Sequence, residues 1–258
     1  MTKEIKKKLE EADMILVGIG EEFAETDFLD ANAEYRQISM AAAKAGAQWV
    51  IPYVNHLFLK DDNHLKDAYG ELAKLLEGKN YFVISTCMDG MFSETGVRLD
   101  RVVEPCGSCF RMQCKKGCPD SVESSDERLL KQIAMCCESK NFTQMPDRPV
   151  CKSCGEPMEC NSLYAEHYAE EGYREQWEAY TKWLQGTLNR KLCVLELGAG
   201  MMFAGVHRFR FEKIVGLNKK AELIRVHRNL YQLPEEIGDR GLGISQNAVE
   251  FMAQMKEV

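Results

Sequence analysis

The sequence predicts an α/β protein, in which a parallel-sheet, Rossmann-like domain for nucleotide binding carries a small inserted zinc-ribbon domain. Three observations predict this class. Apolar runs of strand length alternate with segments whose apolar residues recur at helical spacing, the pattern of a parallel sheet covered on both faces. Two of these runs end in Gly-x-Gly, as strands that lead to a bound dinucleotide do. Nine of the eleven cysteines lie between residues 106 and 160, which indicates a separate small unit.

Length and composition indicate an ordinary globular protein. The chain has 258 residues, of which 45% are hydrophobic and 28% are charged, so one large domain with a smaller insertion fits. The net charge of -7 and the lack of a long basic run argue against nucleic acid as a partner. Residues 1–11 are charged, and the longer apolar stretches are interrupted, so we expect no signal peptide, no membrane partner and a cytoplasmic location.

The hydrophobic pattern predicts the elements of the main domain in chain order. They are a helix over residues 3–12, a strand over 14–17, a helix over 33–45, a strand over 49–54, a helix over 65–76, strands over 81–85, 192–197 and 214–217, and a last helix up to 255 that Ser245 caps. The strand over 81–85 leads into a polar turn that ends in Asp89 and Gly90.

The cysteine-rich window predicts an insertion between the two halves of this domain. We expect a helix over residues 124–133 inside it, and an aromatic helical segment over 164–188 that returns the chain to the main domain. The expected division is residues 1–105 with 190–258 for the nucleotide-binding domain and residues 106–189 for the small zinc-binding and helical domain.

The two Gly-x-Gly segments are the first candidate site. Gly18 and Gly20 follow the first predicted strand, and Gly198 and Gly200 follow the strand that ends at Leu197. Glycine lets the backbone approach a pyrophosphate closely, although a simple tight turn would also use it. Because the carboxyl ends of parallel strands meet at one edge of a sheet, we expect both pairs to border one cofactor crevice.

The cysteine spacing predicts a metal site. Eleven cysteines in a chain without a secretion signal favour metal ligation or redox chemistry over structural disulfides. Cys114 and Cys118 form one close pair and Cys151 and Cys154 another, and four thiolates from two such pairs make the closed tetrahedral sphere of one structural zinc. A further Cys-x2-Cys pair begins at Cys106, so spacing alone leaves the ligands open, and free cysteines are the alternative.

Several segments resemble the sirtuin family. Residues 85–90 read Ser-Thr-Cys-Met-Asp-Gly where sirtuins have Gln/Ser-Thr-Asn-Val-Asp-Gly, and residues 104–108 read Glu-Pro-Cys-Gly-Ser where they have Glu-Val-His-Gly-Ser. The bacterial, macrodomain-linked branch of the family has a Leu-Glu-Leu-Gly-x-Gly segment like residues 195–200. That segment runs on without gaps into Gly205, Arg208, Phe209, Phe211 and Glu212. The resemblance covers residues 14–257.

The resemblance implies a sirtuin fold with NAD or ADP-ribose as its ligand. Cys114 stands in Met-Gln-Cys, where the family has the Leu-Gln-Cys of its first zinc ligand, which favours the set that begins at Cys114. Arg208 lies in the matched segment and is expected to contact the cofactor. Asn218 falls where the family has an Asn that binds the adenosine ribose.

Two positions depart from the family's catalytic pattern. Asp89 is kept, and the family uses it together with an Asn to hold the nicotinamide side of NAD. Here Cys87 replaces that Asn, and Cys106 replaces the His that takes a proton from the ribose. A free thiol has a pKa of about 8.5, so little thiolate is present at neutral pH and Cys106 is a poor substitute base.

The resemblance implies NAD-dependent chemistry on protein side chains, either ADP-ribosyl transfer or lysine deacylation. Glu21 and Glu22 directly follow the first glycine pair, and their like charge beside a pyrophosphate predicts weak binding of NAD. Two alternatives stay open. One is a catalytically inactive protein that only binds a nucleotide, and the other is a redox or metal sensor that uses Cys106 and Cys109.

Overall fold

The computed structural model describes residues 2–24, 27–145 and 147–257. Its strands are β1 (Met14–Ile19), β2 (Tyr81–Ser85), β3 (Val102–Val103), β4 (Gly107–Cys114), β5 (Glu123–Ser124), β6 (Met158–Ser162), β7 (Leu192–Leu197), β8 (Ala221–Val226) and β9 (Gly241–Ile244). Its helices are α1 (Thr2–Glu11), α2 (Asp27–Ala31), α3 (Ala33–Lys44), α4 (Ile51–Leu59), α5 (Asn63–Leu76), α6 (Glu127–Ser139), α7 (Glu171–Gln185), α8 (Arg208–Leu217) and α9 (Ala248–Gln254). None of the helices in these ranges is long and apolar enough to cross a membrane.

The main domain is built on a parallel sheet with the strand order β3-β2-β1-β7-β8-β9. Every residue of β1, β2 and β7 is buried, because apolar clusters cover both faces of the sheet. The order changes direction between β1 and β7. Ligands of such sheets bind in the crevice at the carboxyl ends of the two strands at that point. The predicted parallel-sheet class is confirmed.

A second, antiparallel sheet has the order β5-β4-β6 and holds the cysteine pairs. Residues of α3 and α4, such as Ile38 and Val54, share a buried cluster with β4 and α6. Tyr180 and Trp183 of α7 instead pack in a cluster over the large sheet. The strands of the small sheet lie between the expected boundaries at residues 106 and 189, and those of the large sheet lie outside them. The domain division stays a prediction, because α3, α4 and α7 pack across it.

Two segments predicted as strands are helical. In the first, residues 49–50 belong to a 3₁₀ helix at Gln48–Val50, and residues 51–54 are the first residues of α4. Pro52 stands in the first turn of α4, where its missing N–H costs no hydrogen bond. Periodicity cannot separate a short apolar run in a strand from one in a helix, so the proline was the stronger signal.

The second such segment is residues 214–217, which form the last turn of α8. Phe211 and Val215, four residues apart, are fully buried on one face of this helix. The strand that pairs with β7 on the side away from β1 is β8, which begins after Asn218. With this correction, Asn218 is no longer at the carboxyl end of a strand but lies three residues before Ala221, where β8 begins.

One helix differs from its predicted bounds and another from its predicted cap. α6 starts after Asp126, whose carboxylate accepts from the Arg128 N–H, and extends to Ser139 rather than covering residues 124–133. α9 is capped by Asn247 and not by Ser245. In both cases the acceptor nearest the first turn is the cap.

Candidate functional site

Two glycine turns meet where the strand order reverses. A Cβ on Gly20 would lie 2.3 Å from the Cα of Ala199, so a side chain at this position would clash with the second turn. Gly198 has a φ of +64°, in the left-handed region that favours glycine. The structure therefore brings the predicted pairs, Gly18 with Gly20 and Gly198 with Gly200, to one edge of the sheet.

The carboxylate of Glu21 lies over the second glycine turn. Its Oε2 accepts from the backbone N–H of Gly200 over 2.5 Å, and its Oε1 accepts from that of Phe203 over 3.2 Å. We call these two N–H groups the amide pair. A negatively charged acceptor of the protein itself is therefore bound next to the turn where a pyrophosphate was expected.

The carboxylate of Glu22 serves a different part of the molecule. It is buried, and it accepts from the backbone N–H of Arg228 over 2.9 Å and from that of Ala248 over 2.8 Å. It thereby joins the segments that follow β8 and β9. From the sequence, Glu21 and Glu22 were both expected to weaken NAD binding by their charge. In the structure, only Glu21 binds the amide pair.

A cavity of about 530 Å³ opens beside the first glycine turn. Its wall includes Glu21, Asn55, Thr86, Asp89, Ser162, Tyr164 and Met202. No lysine or arginine lines it within the described part of the chain. Asp89 is the one residue of the predicted catalytic and cofactor set found among its lining residues.

Asp89 is a buried carboxylate held at both oxygens. Tyr69 donates its hydroxyl to Oδ2 over 3.1 Å, and the Met91 N–H donates to Oδ1 over 3.0 Å. The His56 ring nitrogen Nδ1 donates to the Asp89 carbonyl over 2.8 Å. Burial raises the pKa of the Asp89 carboxyl from 3.8 to about 6, so this group is ionised at neutral pH and takes up a proton in mild acid.

Cys87 and Cys106 are buried, with 1% and 2% of their surface exposed, and Cys87 is close enough to Asp89 to feel its charge. The Cys87 thiol donates to the Gly20 carbonyl over 3.5 Å. Burial raises the pKa of Cys87 well above its ordinary range, and burial, followed by the charge of Glu21, raises that of Cys106 to about 12. Both are therefore thiols at neutral pH, which is unfavourable for a base or a redox-active thiolate.

Arg208 supports the second glycine turn from behind. Its guanidinium is 7% exposed, and Nη1 donates to the carbonyls of Ala199 over 2.9 Å and Leu230 over 2.8 Å. The same atom lies 3.7 Å from the carboxylate of Glu196. Its hydrogen bonds to backbone give Arg208 a positioning role for the loops at this edge.

Asn218 does not join the other predicted site residues. It precedes β8 and so lies at the amino edge of the sheet, where its side chain donates to the carbonyls of Thr187 and Arg190. The residue at the carboxyl end of β8 is His227. Its Nδ1 accepts from the backbone N–H of Asn229 over 3.0 Å, which orders the loop beside the crevice.

Two residues of the site escaped the sequence analysis. Tyr69, on α5, is fully buried against Asp89, and nothing in its local pattern distinguishes it from a core aromatic. Asn55, on α4, lines the cavity, and its Oδ1 accepts from the Tyr35 hydroxyl over 2.9 Å. With Oδ1 engaged, the Nδ2 donors of Asn55 have no acceptor among the described residues and are free for a ligand.

The four predicted metal ligands form one cluster. The Sγ atoms of Cys114, Cys118, Cys151 and Cys154 all lie within 4.8 Å of one another. Cys114 ends β4, and the second pair precedes β6, so two strands bring the pairs together. Four converging thiols at this separation match a closed tetrahedral site.

A left-handed glycine closes the turn at each cysteine pair, within the first pair and directly after the second. Gly117 has a φ of +68° and donates to the Cys114 carbonyl over 2.9 Å, and Gly155 has a φ of +73° and donates to the Cys151 carbonyl over 2.8 Å. The cluster therefore has two similar halves. Cys106, which shares the short spacing, is not part of it.

Comparison with known proteins was made at the level of sequence and of fold. No family model matches the chain. The chain is 23% identical over 263 residues to a protein ADP-ribosyltransferase of Staphylococcus aureus, with 94% of this chain and 83% of that protein covered. It is 29% identical over 174 residues to a probable bifunctional ADP-ribose hydrolase/ADP-ribosyltransferase of Fusarium oxysporum f. sp. cubense, with 64% of this chain and 29% of that protein covered.

Solved structures of Sir2 enzymes are similar over nearly the whole chain. Sir2Tm bound to a propionylated peptide superimposes with a TM-score of 0.55 at 16% identity, with 99% of this chain and 97% of that chain covered. A second Sir2 structure, described as a basis for the mechanism and regulation of these enzymes, gives a TM-score of 0.56 at 18% identity, with coverages of 99% and 95%. At this level of identity the similarity establishes the fold.

Proposed function

We propose that this chain, which has the fold of Sir2 sirtuins, is a divergent NAD-dependent transferase that moves ADP-ribose to a protein side chain. The relative that covers most of the chain supports this, because it is named a protein ADP-ribosyltransferase. The two glycine turns at the reversal of the strand order also support it. Fold alone does not decide a function, so the site has to carry the argument.

The observation that carries the proposal is the buried Asp89 carboxylate in the cavity wall. In ADP-ribosyl transfer, the bond between ribose and nicotinamide breaks, nicotinamide leaves, and the acceptor forms a bond to the ribose. Positive charge develops on the ribose meanwhile, and a carboxylate fixed in a poorly solvated wall stabilises such charge more than one in water does. Tyr69 and Met91 already hold both oxygens of Asp89, so little reorganisation is needed.

Asn55 supplies a second polar group to the same cavity. Its free Nδ2 donors can bind a ligand carbonyl or hydroxyl, while the ionised Asp89 only accepts. The sirtuin pattern has an amide at position 87, where this chain has a buried thiol. We propose that Asn55 provides an amide from the opposite wall, with Tyr35 as the residue that orients it.

The burial of Cys106 favours transfer over deacylation. In the sirtuin pattern, the residue at this position is a base, and general bases contribute about 100- to 10,000-fold. A thiol whose pKa is raised to about 12 cannot fill that role at neutral pH. Burial also raises the pKa of Cys109, and this weakens the case for a redox sensor that uses Cys106 and Cys109.

The mouth of the cavity has the properties of a contact surface for a protein acceptor. Tyr164 is 73% exposed and Met202 is 70% exposed, and both belong to the cavity wall. Exposed aromatic and methionine side chains beside a site are enriched at protein interfaces. We propose that the acceptor side chain enters between them.

We propose that the four-cysteine cluster holds one zinc ion. Cys114, Cys118, Cys151 and Cys154 provide four sulfur ligands and leave no open position for a substrate, which is the pattern of a structural site. The ion would cross-link the segments around β4 and β6. It would take no part in the transfer.

A nucleotide-binding protein without activity is the second candidate, and one observation favours it. Glu21 already occupies the amide pair, so a dinucleotide meets a competing carboxylate. Cys87 adds to this, because a buried thiol replaces a polar amide. Such a protein would bind ADP-ribose or a nucleoside without releasing nicotinamide.

Transfer of a label from NAD tests the proposal. The chain is incubated with a protein extract and NAD labelled in the adenylate phosphate, and protein-bound label is measured. We expect label on protein with the wild type and with Asp61→Asn, a control at an exposed position, and loss of label with Asp89→Asn. NAD-dependent loss of acetyl groups from a peptide without any label transfer would overturn the proposal in favour of deacylation.

A further inference from the structure

The Glu21 carboxylate stands in the place of a bound anion. Two backbone N–H groups that converge on one acceptor make an anion site, and Gly200 and Phe203 provide such a pair. The pair follows the carboxyl end of β7, beside the first glycine turn, which is where open α/β sheets bind the pyrophosphate of a dinucleotide.

The fit of Glu21 over this turn is close. A Cβ on Gly200 would lie 3.3 Å from the carboxylate carbon and from both carboxylate oxygens of Glu21. The carboxylate therefore covers the glycine that would otherwise let a phosphate approach the backbone. A phosphate oxygen and the Glu21 carboxylate are both negatively charged acceptors, so they compete for the same donors.

The cavity lining does not offset this charge for an incoming anion, and the Arg208 guanidinium, which does interact with Glu21, already donates to the carbonyls of Ala199 and Leu230. The cavity wall contains Glu21 and Asp89 and, within the described residues, no lysine or arginine. Glu21 also contributes, after burial, to the raised pKa of Cys106, so its charge acts on that thiol as well. Glu22 takes no part, because its oxygens bind Arg228 and Ala248.

We infer that Glu21 is a specificity-determining residue of the crevice: its carboxylate takes the place of the ligand's diphosphate, so that a diphosphate binds only when Glu21 is displaced from the amide pair. The inference rests on the proposed function, since NAD is the diphosphate ligand in question. It predicts discrimination between a ligand that contains a diphosphate and a nucleoside that does not.

Titration calorimetry with ADP-ribose and with adenosine separates the two ligand classes. Glu21→Ala removes the charge and frees the amide pair, so ADP-ribose is expected to bind about 10- to 1,000-fold more tightly than to the wild type. Glu21→Gln removes the charge but keeps an acceptor for one N–H, so its affinity should fall between the two. Adenosine affinity should not change. Glu235→Ala, at an exposed position, changes the net charge equally and should leave both affinities unchanged.

Hydrogen exchange gives a direct readout of the amide pair. The N–H groups of Gly200 and Phe203 should exchange faster in Glu21→Ala than in the wild type, and ADP-ribose should protect them again in the variant. Adenosine should give no such protection. This readout also shows whether the variant keeps its fold, because protection in β1 and β7 should be unchanged.

The outcomes distinguish this inference from the proposed function. Equal ADP-ribose affinity in the wild type and Glu21→Ala, or equal tightening of adenosine, would overturn the role of Glu21 and leave the transferase proposal standing. If neither the wild type nor any variant binds ADP-ribose, both the inference and the proposed function are wrong.

Discussion

Asp89 is ionised at neutral pH at a cost, because its carboxyl is buried and no cationic side chain among the described residues contacts it. Its pKa of about 6 lies above the ordinary value of 3.8, so the folded protein binds this proton more strongly than the unfolded chain does. The contribution to stability is therefore fully present below pH ~3.8 and is lost as the pH rises through about 6. Glu104, whose pKa burial raises to about 7, acts in the same direction.

Replacement of Asp89 should therefore stabilise the protein at high pH. We expect Asp89→Asn to raise the free energy of unfolding at pH 8 by on the order of 2 to 3 kcal/mol, and to change it little at pH 4, since the pKa shift is about two units. Urea unfolding at the two pH values measures this. A loss of stability at pH 8, relative to the wild type and the exposed control Asp61→Asn, would contradict the account.

Cys87 and Cys106 make a second prediction at the scale of single residues. Cys106→His alone should restore little lysine deacetylation, because the amide that deacylating sirtuins have at position 87 would still be missing from that place, and the two losses multiply. A clear gain is expected only in the double variant with Cys87→Asn. An acetyl-lysine peptide assay on the wild type, both single variants and the double variant measures it. Robust deacetylation by the wild type would mean that another residue serves as the base.

At the scale of elements, we expect the four-cysteine cluster to order the small sheet once it holds zinc. Its sulfur atoms converge at the ends of β4 and β6, and structural zinc binding is coupled to folding. The small sheet should therefore be more sensitive to chelation than the large sheet, whose strands are buried on both faces.

Metal analysis tests this directly. We expect one zinc per chain in the wild type, and loss of zinc together with exchange protection in β4 and β6 in Cys151→Ser. Cys136→Ser is the matched control, because Cys136 is a buried cysteine of α6 outside the cluster. Absence of zinc from the wild type, or full zinc and full stability in Cys151→Ser, would refute the assignment.

The same scale shows what local sequence patterns can and cannot predict. Helices α3 and α5 and strands β1, β2 and β7 were predictable, because long periodic segments or bounded apolar runs carry their own signal. The start of α4 and the end of α8 were not, since four to six apolar residues fit a buried strand equally well. Pro52 was the local signal that could have corrected the first of them.

At the scale of the whole molecule, the site is assembled from segments that are far apart in the chain. The close cysteine pairs could be found from spacing, but the choice of Cys114 over Cys106 as the first zinc ligand needed the resemblance to sirtuins. The two glycine pairs could be found from the strands that precede them. The contact of Glu21 with Gly200 joins residues 179 positions apart, and that of Tyr69 with Asp89 joins two that share no motif. Such pairings depend on the strand order, which local patterns do not contain.

The reversal of the strand order between β1 and β7 determines which residues meet at the carboxyl edge of the sheet. It places both glycine turns, the Glu21 carboxylate and the Asp89 wall at one edge. It also leaves Asn218 at the opposite edge, where it donates to the Thr187 and Arg190 carbonyls before β7 and accepts from the Lys220 N–H before β8. We propose that the crevice accepts a nucleotide whose diphosphate competes with Glu21 for the amide pair.

Release of nicotinamide from NAD tests the central claim most directly. The zinc-loaded wild type should release nicotinamide slowly, Glu21→Ala should do so at lower NAD concentrations, Asp61→Asn should match the wild type, and Asp89→Asn should lose the activity. Release by Asp89→Asn at the wild-type rate, or no release by either the wild type or Glu21→Ala, would contradict the account.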